Sequence, residues 1–173
     1  MSSAKPDFRQ TWLWQHAFVN QRSDSTLDEQ QYFRDQYLHM RDQVSHLVAR
    51  IAADLPGMTV HDLSHLDSLW ETGSLVAEGA VTVSPPEAFV FGASVLLHDA
   101  AMTVAAYPGG ITDIQETLEW KDTLARWEQS QEGNSLGIPP FFPSEEIVRK
   151  VLLPDVLRRL HAQQAAVLAE QAW

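Results

Sequence analysis

The chain reads as an all-α bundle wrapped around one buried helix at about residues 86–106. Three observations predict this. The run from Phe89 to Leu97, followed by Ala100 to Ala106, is apolar nearly all round, as a helix in the middle of a bundle must be. Elsewhere apolar residues recur at spacings of three to five, the helical period. Convincing strand alternation is missing, since Thr82-Val83-Ser84 is too short to count.

Residues 1–28 read as an N-terminal extension or docking segment. Phe8 to Val19 predicts a short helix whose aromatics, Phe8, Trp14 and Phe18 beside Trp12, suit docking onto the body or a partner. Ser23-Asp24-Ser25-Thr26 breaks it and supplies N-cap candidates. The helical domain then spans 29–173. Its first helix, about Leu27 to Leu55, shows Tyr32, Tyr37, Met40, Val44, Leu47, Val48 and Ile51 recurring at the helical period and stops at Pro56-Gly57. A second helix, Val60 to Ala77, shows Leu63, Leu66, Leu69 and Trp70.

Gly79 to Pro86 is a loop, and Ser84-Pro85-Pro86-Glu87 starts the central helix with a cap, early prolines and a first-turn acid. Pro108-Gly109-Gly110 stops it. Thr112 to Gln131 predicts a surface helix with Ile114, Leu118, Trp120, Leu124 and Trp127. A loop rich in glycine and proline follows to Pro143, Ser144 caps the next segment, and Pro154 predicts a kink. The final helix, Asp155 to Trp173, runs to the last residue without a C-cap, so the domain reads as truncated at that end.

With 23 acidic against 12 basic side chains the net charge is -11, which argues against a broad nucleic-acid-binding surface. There is no run of about 18 apolar residues and no signal-peptide core, so neither a membrane span nor export is expected. The absence of cysteine excludes disulfides and thiolate metal sites and fits a cytoplasmic location. Any metal must be held by histidine and carboxylate.

The chemistry concentrates in two stretches. His98-Asp99 interrupts the apolar helix, where a carboxylate is costly unless something pairs with it, and a divalent cation is one such partner. Neighbouring helix residues point about 100° apart, so both reach one ion only if a second helix brings further ligands. That helix carries His61-Asp62-Leu63-Ser64-His65, whose two imidazoles, four apart, would share one helical face. The plain alternatives are a solvated histidine pair and a hydrogen-bonded polar break in a core helix.

The order His65, then His98-Asp99 on an apolar helix, resembles the HD superfamily of metal-dependent phosphohydrolases, named for its histidine–aspartate pair. The HxxxH phrase His61 to His65 is similar to a branch in which the domain is often fused to an Hsp90-type ATPase module, and Arg158-Arg159-Leu160-His161 is similar to a later element of that branch. The resemblance implies an HD-like helical bundle. It also implies a divalent ion (Mn, Fe, Mg, Zn, Ni or Co) on His65, His98 and Asp99, with His61 as ligand or water-orienting group.

In this picture Asp62 helps position the water, Arg158 and His161 meet the phosphoryl group, and the substrate is a nucleotide or other phosphorylated small molecule. A C-terminal ATPase module is the protein partner it implies. The superfamily's closing aspartate has no counterpart, because the last aspartate, Asp155, precedes His161. That departure supports the alternative of a catalytically degenerate HD domain serving as a sensor or interaction module.

Overall fold

The computed structural model describes residues 7–57, 61–132, 143–171 and 173. Among these the chain is helical with no strand. The expected helix start at Val60 and most of the loop before Pro143 lie outside the described residues.

Phe8–Gln10 forms a 3-10 turn, α1 spans Trp12–Trp14, and a π turn covers Gln15–Val19. The segment is therefore not one regular helix: Thr11 is extended, and its hydroxyl accepts from the Trp14 N–H as a cap. Phe8, Leu13, Trp14, Ala17 and Phe18 are buried in the common core. Thr11 Oγ1 also accepts from the Trp70 indole at 2.9 Å, and Ser74 Oγ accepts from the Leu13 N–H at 2.9 Å. These two bonds fasten the segment to the helix that carries His65.

Helix α2, Leu27–Asp54, starts where Thr26 Oγ1 accepts from the Glu29 N–H at 3.1 Å. It buries Tyr37, Met40, Val44, Val48 and Ile51. Tyr32 stands off this buried face and is 59% exposed. Five positions from Tyr37 is a turn and a half, so the adjacent Phe33 takes the inward place, 5.6 Å from Phe89. Helix α3, Leu63–Ala77, begins three residues later than expected because Asp62 is extended and caps it.

Helix α4, Pro85–Ala100, is the expected central helix, packed on both α2 and α8, the last helix, Leu153–Ala169. The Glu87 carboxylate accepts from both the backbone N–H (2.9 Å) and the hydroxyl (2.6 Å) of Ser84. Gly92 faces Tyr37 and Trp70 so closely that any Cβ there would overlap both rings. The helix ends six residues before its expected limit. Asp54, at the end of α2, accepts from Thr103 Oγ1 at 2.5 Å and from the Val104 N–H at 2.8 Å. That carboxylate holds Thr103 extended and starts a separate 3-10 turn, Val104–Ala106.

The expected surface helix is two, α5 Ile111–Glu116 and α6 Leu118–Glu132. Thr117 separates them, its hydroxyl accepting from the Trp120 N–H at 3.2 Å. The break turns Leu118 outward, 76% exposed, while Ile114 and Trp120 stay buried.

After Ser144 come α7, Glu145–Ile147, a π turn at Val148–Leu152, and α8. Pro154 makes no sharp break: Leu152 and Leu153 keep right-handed helical torsions. The π turn removes the usual hydrogen bond that the proline ring would obstruct. Helix α8 stops at Ala169 rather than Trp173, and the Trp173 indole donates to the Leu168 carbonyl at 2.8 Å, so its end is capped by a side chain. No described helix is long and apolar enough to cross a membrane.

Candidate metal centre

Three histidines meet one carboxylate oxygen. Asp99 sits in the last turn of α4 with its side chain 7% exposed. Its Oδ2 lies 2.9 Å from His61 Nδ1, 3.0 Å from His98 Nε2 and 3.4 Å from His65 Nε2. The His61 and His65 rings are 5.3 Å apart, and the His65 and His98 rings 5.9 Å. One ligand atom each from His61, His65 and Asp99 lies within 4.8 Å of the others.

The arrangement follows from how the helices begin and end. Asp62 Oδ1 accepts from the backbone N–H of Ser64 at 2.9 Å and of His65 at 3.2 Å. This cap fixes the first turn of α3 and hence His65. His61 does not share a helical face with His65, as the four-residue spacing had suggested. It stands before the cap, on non-helical backbone, and reaches Asp99 from there. Farther along α3, Asp67 is held by Arg41 of α2, with two contacts at 2.8 Å. That paired fork anchors α3 against α2 below the site.

His98 supplies the sharpest chemical constraint. Its Nδ1 lies 2.6 Å from the Val95 carbonyl, which can only accept, so Nδ1 carries the proton. In a neutral ring Nε2 is then a bare lone pair, aimed at a carboxylate oxygen 3.0 Å away. Two acceptors at that distance require a cation: a proton on the ring or a metal ion between them. The hydrogen bond to Asp99 accordingly raises the His98 pKa against the opposing effect of burial. Burial pushes the Asp99 carboxyl up, but the contacts with His98 and His61 more than offset it and hold it at about 2.

The same distances suit a metal ion. Ligand bonds of about 2.0–2.2 Å give ligand–ligand edges of about 3 Å in an octahedron and about 3.4 Å in a tetrahedron. The N–O separations of 2.9, 3.0 and 3.4 Å are close to those edges. His61, His65 and Asp99 form the group whose ligand atoms all lie within 4.8 Å of one another; His98 shares the Asp99 oxygen but stands outside that group. The donor set, imidazole nitrogen with one carboxylate oxygen and no sulfur, suits a borderline divalent cation.

The other expected site residues are placed as follows. His161, in the middle of α8, lines a cleft together with His98, while its Nδ1 lies 2.6 Å from the Arg158 carbonyl. Arg158 is exposed on α8 and is not among the residues lining that cleft. Asp155 accepts at Oδ2 from Thr123 at 2.9 Å and meets Arg126 at 3.3 Å and Arg159 at 3.2 Å. It belongs to an α6–α8 ion-pair network, and the metal-competent group among the described residues does not include it. Sequence reasoning missed Asp54, whose grip on Thr103 ends the strand of chain leaving the site. A lone acid at a helix end gives no signal of a partner 49 residues away.

An all-α bundle in which a His-Asp pair on the central helix meets histidines from a preceding helix start is the architecture of an HD-type domain. The family model described as HD-CE matches residues 55–173, and the chain belongs to the HD-CE family. No curated protein and no solved structure matches the chain significantly.

Proposed function

We propose that the protein is a metal-dependent phosphohydrolase acting on a phosphate ester or phosphodiester. The observation that carries this reading is the convergence of three imidazole nitrogens on Asp99 Oδ2, with His98 Nε2 directed at that oxygen by the Nδ1 contact with Val95. His61, His65, His98 and Asp99 would hold a divalent cation. Three imidazoles favour Mn, Fe, Co, Ni or Zn over the all-oxygen preference of Mg. Once bound, such an ion supplies Lewis acidity to a water molecule and to a phosphoryl oxygen.

The chain's own residues do the rest. Val95 locks the His98 ring by accepting from Nδ1, so Nε2 stays aimed at the centre. Asp62 acts as a positioning residue, keeping the first turn of α3 and His65 in register. Asp99 is buried and ionised near neutral pH, providing the one negative ligand. His161 lines the cleft that His98 also lines, where it meets the phosphoryl group or passes a proton to the leaving oxygen.

The test is to load the chain with Mn(II), Fe(II) or Zn(II), measure bound metal by elemental analysis, and assay a panel of phosphate mono- and diesters. The expected result is about one ion or more per chain and hydrolysis that chelation abolishes. A chain that retains no metal after loading would refute the reading. A second reading, a degenerate HD domain acting as a sensor or interaction module of a larger protein, is favoured by one observation. The late aspartate, Asp155, is committed to Thr123, Arg126 and Arg159 instead of the centre. Metal binding without turnover of any ester would support that reading.

A further inference from the structure

We propose, resting on the phosphohydrolase reading, that the substrate is a phosphate ester with an apolar, preferably aromatic, organic group, and that this group lies in the cleft between α4 and α8. The cleft has a volume of about 480 Å³, within the range of about 300–1,000 Å³ typical of small-molecule sites. It adjoins the metal centre because His98 belongs to both.

Its walls dictate the chemistry. On α4 the lining runs along one stripe from Phe89 through Val90, Ala93 and Leu97 to His98. At 1.5 Å per residue that stripe is about 14 Å long, enough for a ring system beyond a phosphate. The facing wall on α8 is built of alanines, which leave room where longer side chains would close the gap. Among the described residues, three polar side chains line the cleft, Ser94, His98 and His161. Ser94 donates its hydroxyl to the Val90 carbonyl at 2.9 Å. His98 is turned to Asp99, and His161 has Nδ1 engaged by Arg158.

Among the described residues, no lysine, arginine, aspartate or glutamate lines the cleft. A second phosphate or a carboxylate placed there would meet no counter-charge on the walls to offset the water it gives up. A sugar would exchange water for walls that offer its hydroxyls almost no hydrogen-bond partners. An apolar or aromatic group loses nothing and removes the lining from water. The phosphate itself is therefore directed to the His98–Asp99 end, where the cation and His161 can meet it.

The experiment compares two non-hydrolysable probes, methylphosphonate and benzylphosphonate, by calorimetry on the full chain loaded with Mn(II). Benzylphosphonate should bind at least about tenfold more tightly, the scale expected when a ring leaves water. Ala166→Trp, at an exposed position on the alanine wall, should remove that preference. Val90→Trp, from the opposite wall and 62% exposed, should do the same. Both variants should keep methylphosphonate affinity and metal content within twofold.

Equal affinity of the wild-type chain for the two probes overturns this inference alone. So does loss of both probes together in the two filled variants. Failure of the metal-loaded wild type to bind either phosphonate overturns the phosphohydrolase reading as well.

Discussion

Replacing Asp99 by asparagine keeps the shape of the side chain and removes its charge, so it isolates what the carboxylate does. In the metal-free protein three ring nitrogens lie within 3.4 Å of Oδ2, and the folded state holds the carboxyl at about 2 against an ordinary value of 3.8. A downward shift of that size corresponds to about 2 kcal/mol of folding stability. Because the folded pKa is depressed, that stability is present above the unfolded value and is lost only as the pH falls through about 2.

Asp99→Asn should therefore destabilise the metal-free protein by about 2 kcal/mol at neutral pH, a fall in Tm of roughly 4–8 °C for a chain of this size. The effect on metal should be larger. Losing the single anionic ligand of the centre should weaken binding by more than the roughly 10–100-fold that outer positioning groups contribute. The assays are thermal unfolding in chelator and calorimetric titration with Mn(II) or Zn(II). Unchanged metal affinity in Asp99→Asn would refute the assignment of the centre. An unchanged Tm in chelator would refute the claim that His98 and His61 stabilise the carboxylate in the absence of metal.

Other outcomes follow from the same geometry. The raised His98 pKa implies that the metal-free protein holds the His98–Asp99 contribution below the unfolded value of 6.5 and loses it as pH rises through the higher folded value. Metal should cancel that loss, so Tm curves with and without metal should diverge above neutrality. Asp62→Ala should cost about 1 kcal/mol as a lost cap and also weaken metal binding roughly tenfold, read by unfolding and by titration. Gly92→Ala should destabilise the fold by about 1–3 kcal/mol, since its methyl overlaps Tyr37 and Trp70, with metal stoichiometry intact in the folded fraction. Asp155→Asn should change stability by less than about 1 kcal/mol and leave metal content unchanged; a drop in bound metal would make Asp155 a ligand after all.

What was legible in the sequence divides along a physical line. Periodicity located the helices, because burial of Tyr37, Met40, Val44, Val48 and Ile51 on one stripe needs only the 3.6-residue repeat. It misplaced their ends wherever a side chain from elsewhere, or a local hydroxyl, took over the backbone. Asp54 stops the central region through Thr103, Thr117 divides the surface helix, and the Trp173 indole closes α8. Apolar spacing carries no record of such bonds, and two of the three join residues close in sequence that pattern analysis treats as interchangeable polar positions.

The candidate site shows the same division more sharply. His98 and Asp99 stand out because they interrupt an apolar helix, and His65 because it precedes that pair in the order of the motif. His61 stands out for a reason the fold does not use, the i,i+4 spacing of a shared helix face. Asp62 removes His61 from that helix by capping it, yet the same cap turns the preceding chain so that His61 Nδ1 still comes within 2.9 Å of Asp99. One aspartate thus sets the start of α3, the register of His65 and the approach of His61. Its replacement is expected to loosen two donors at once, whereas loss of a ligand that stood on the helix by itself would remove only one.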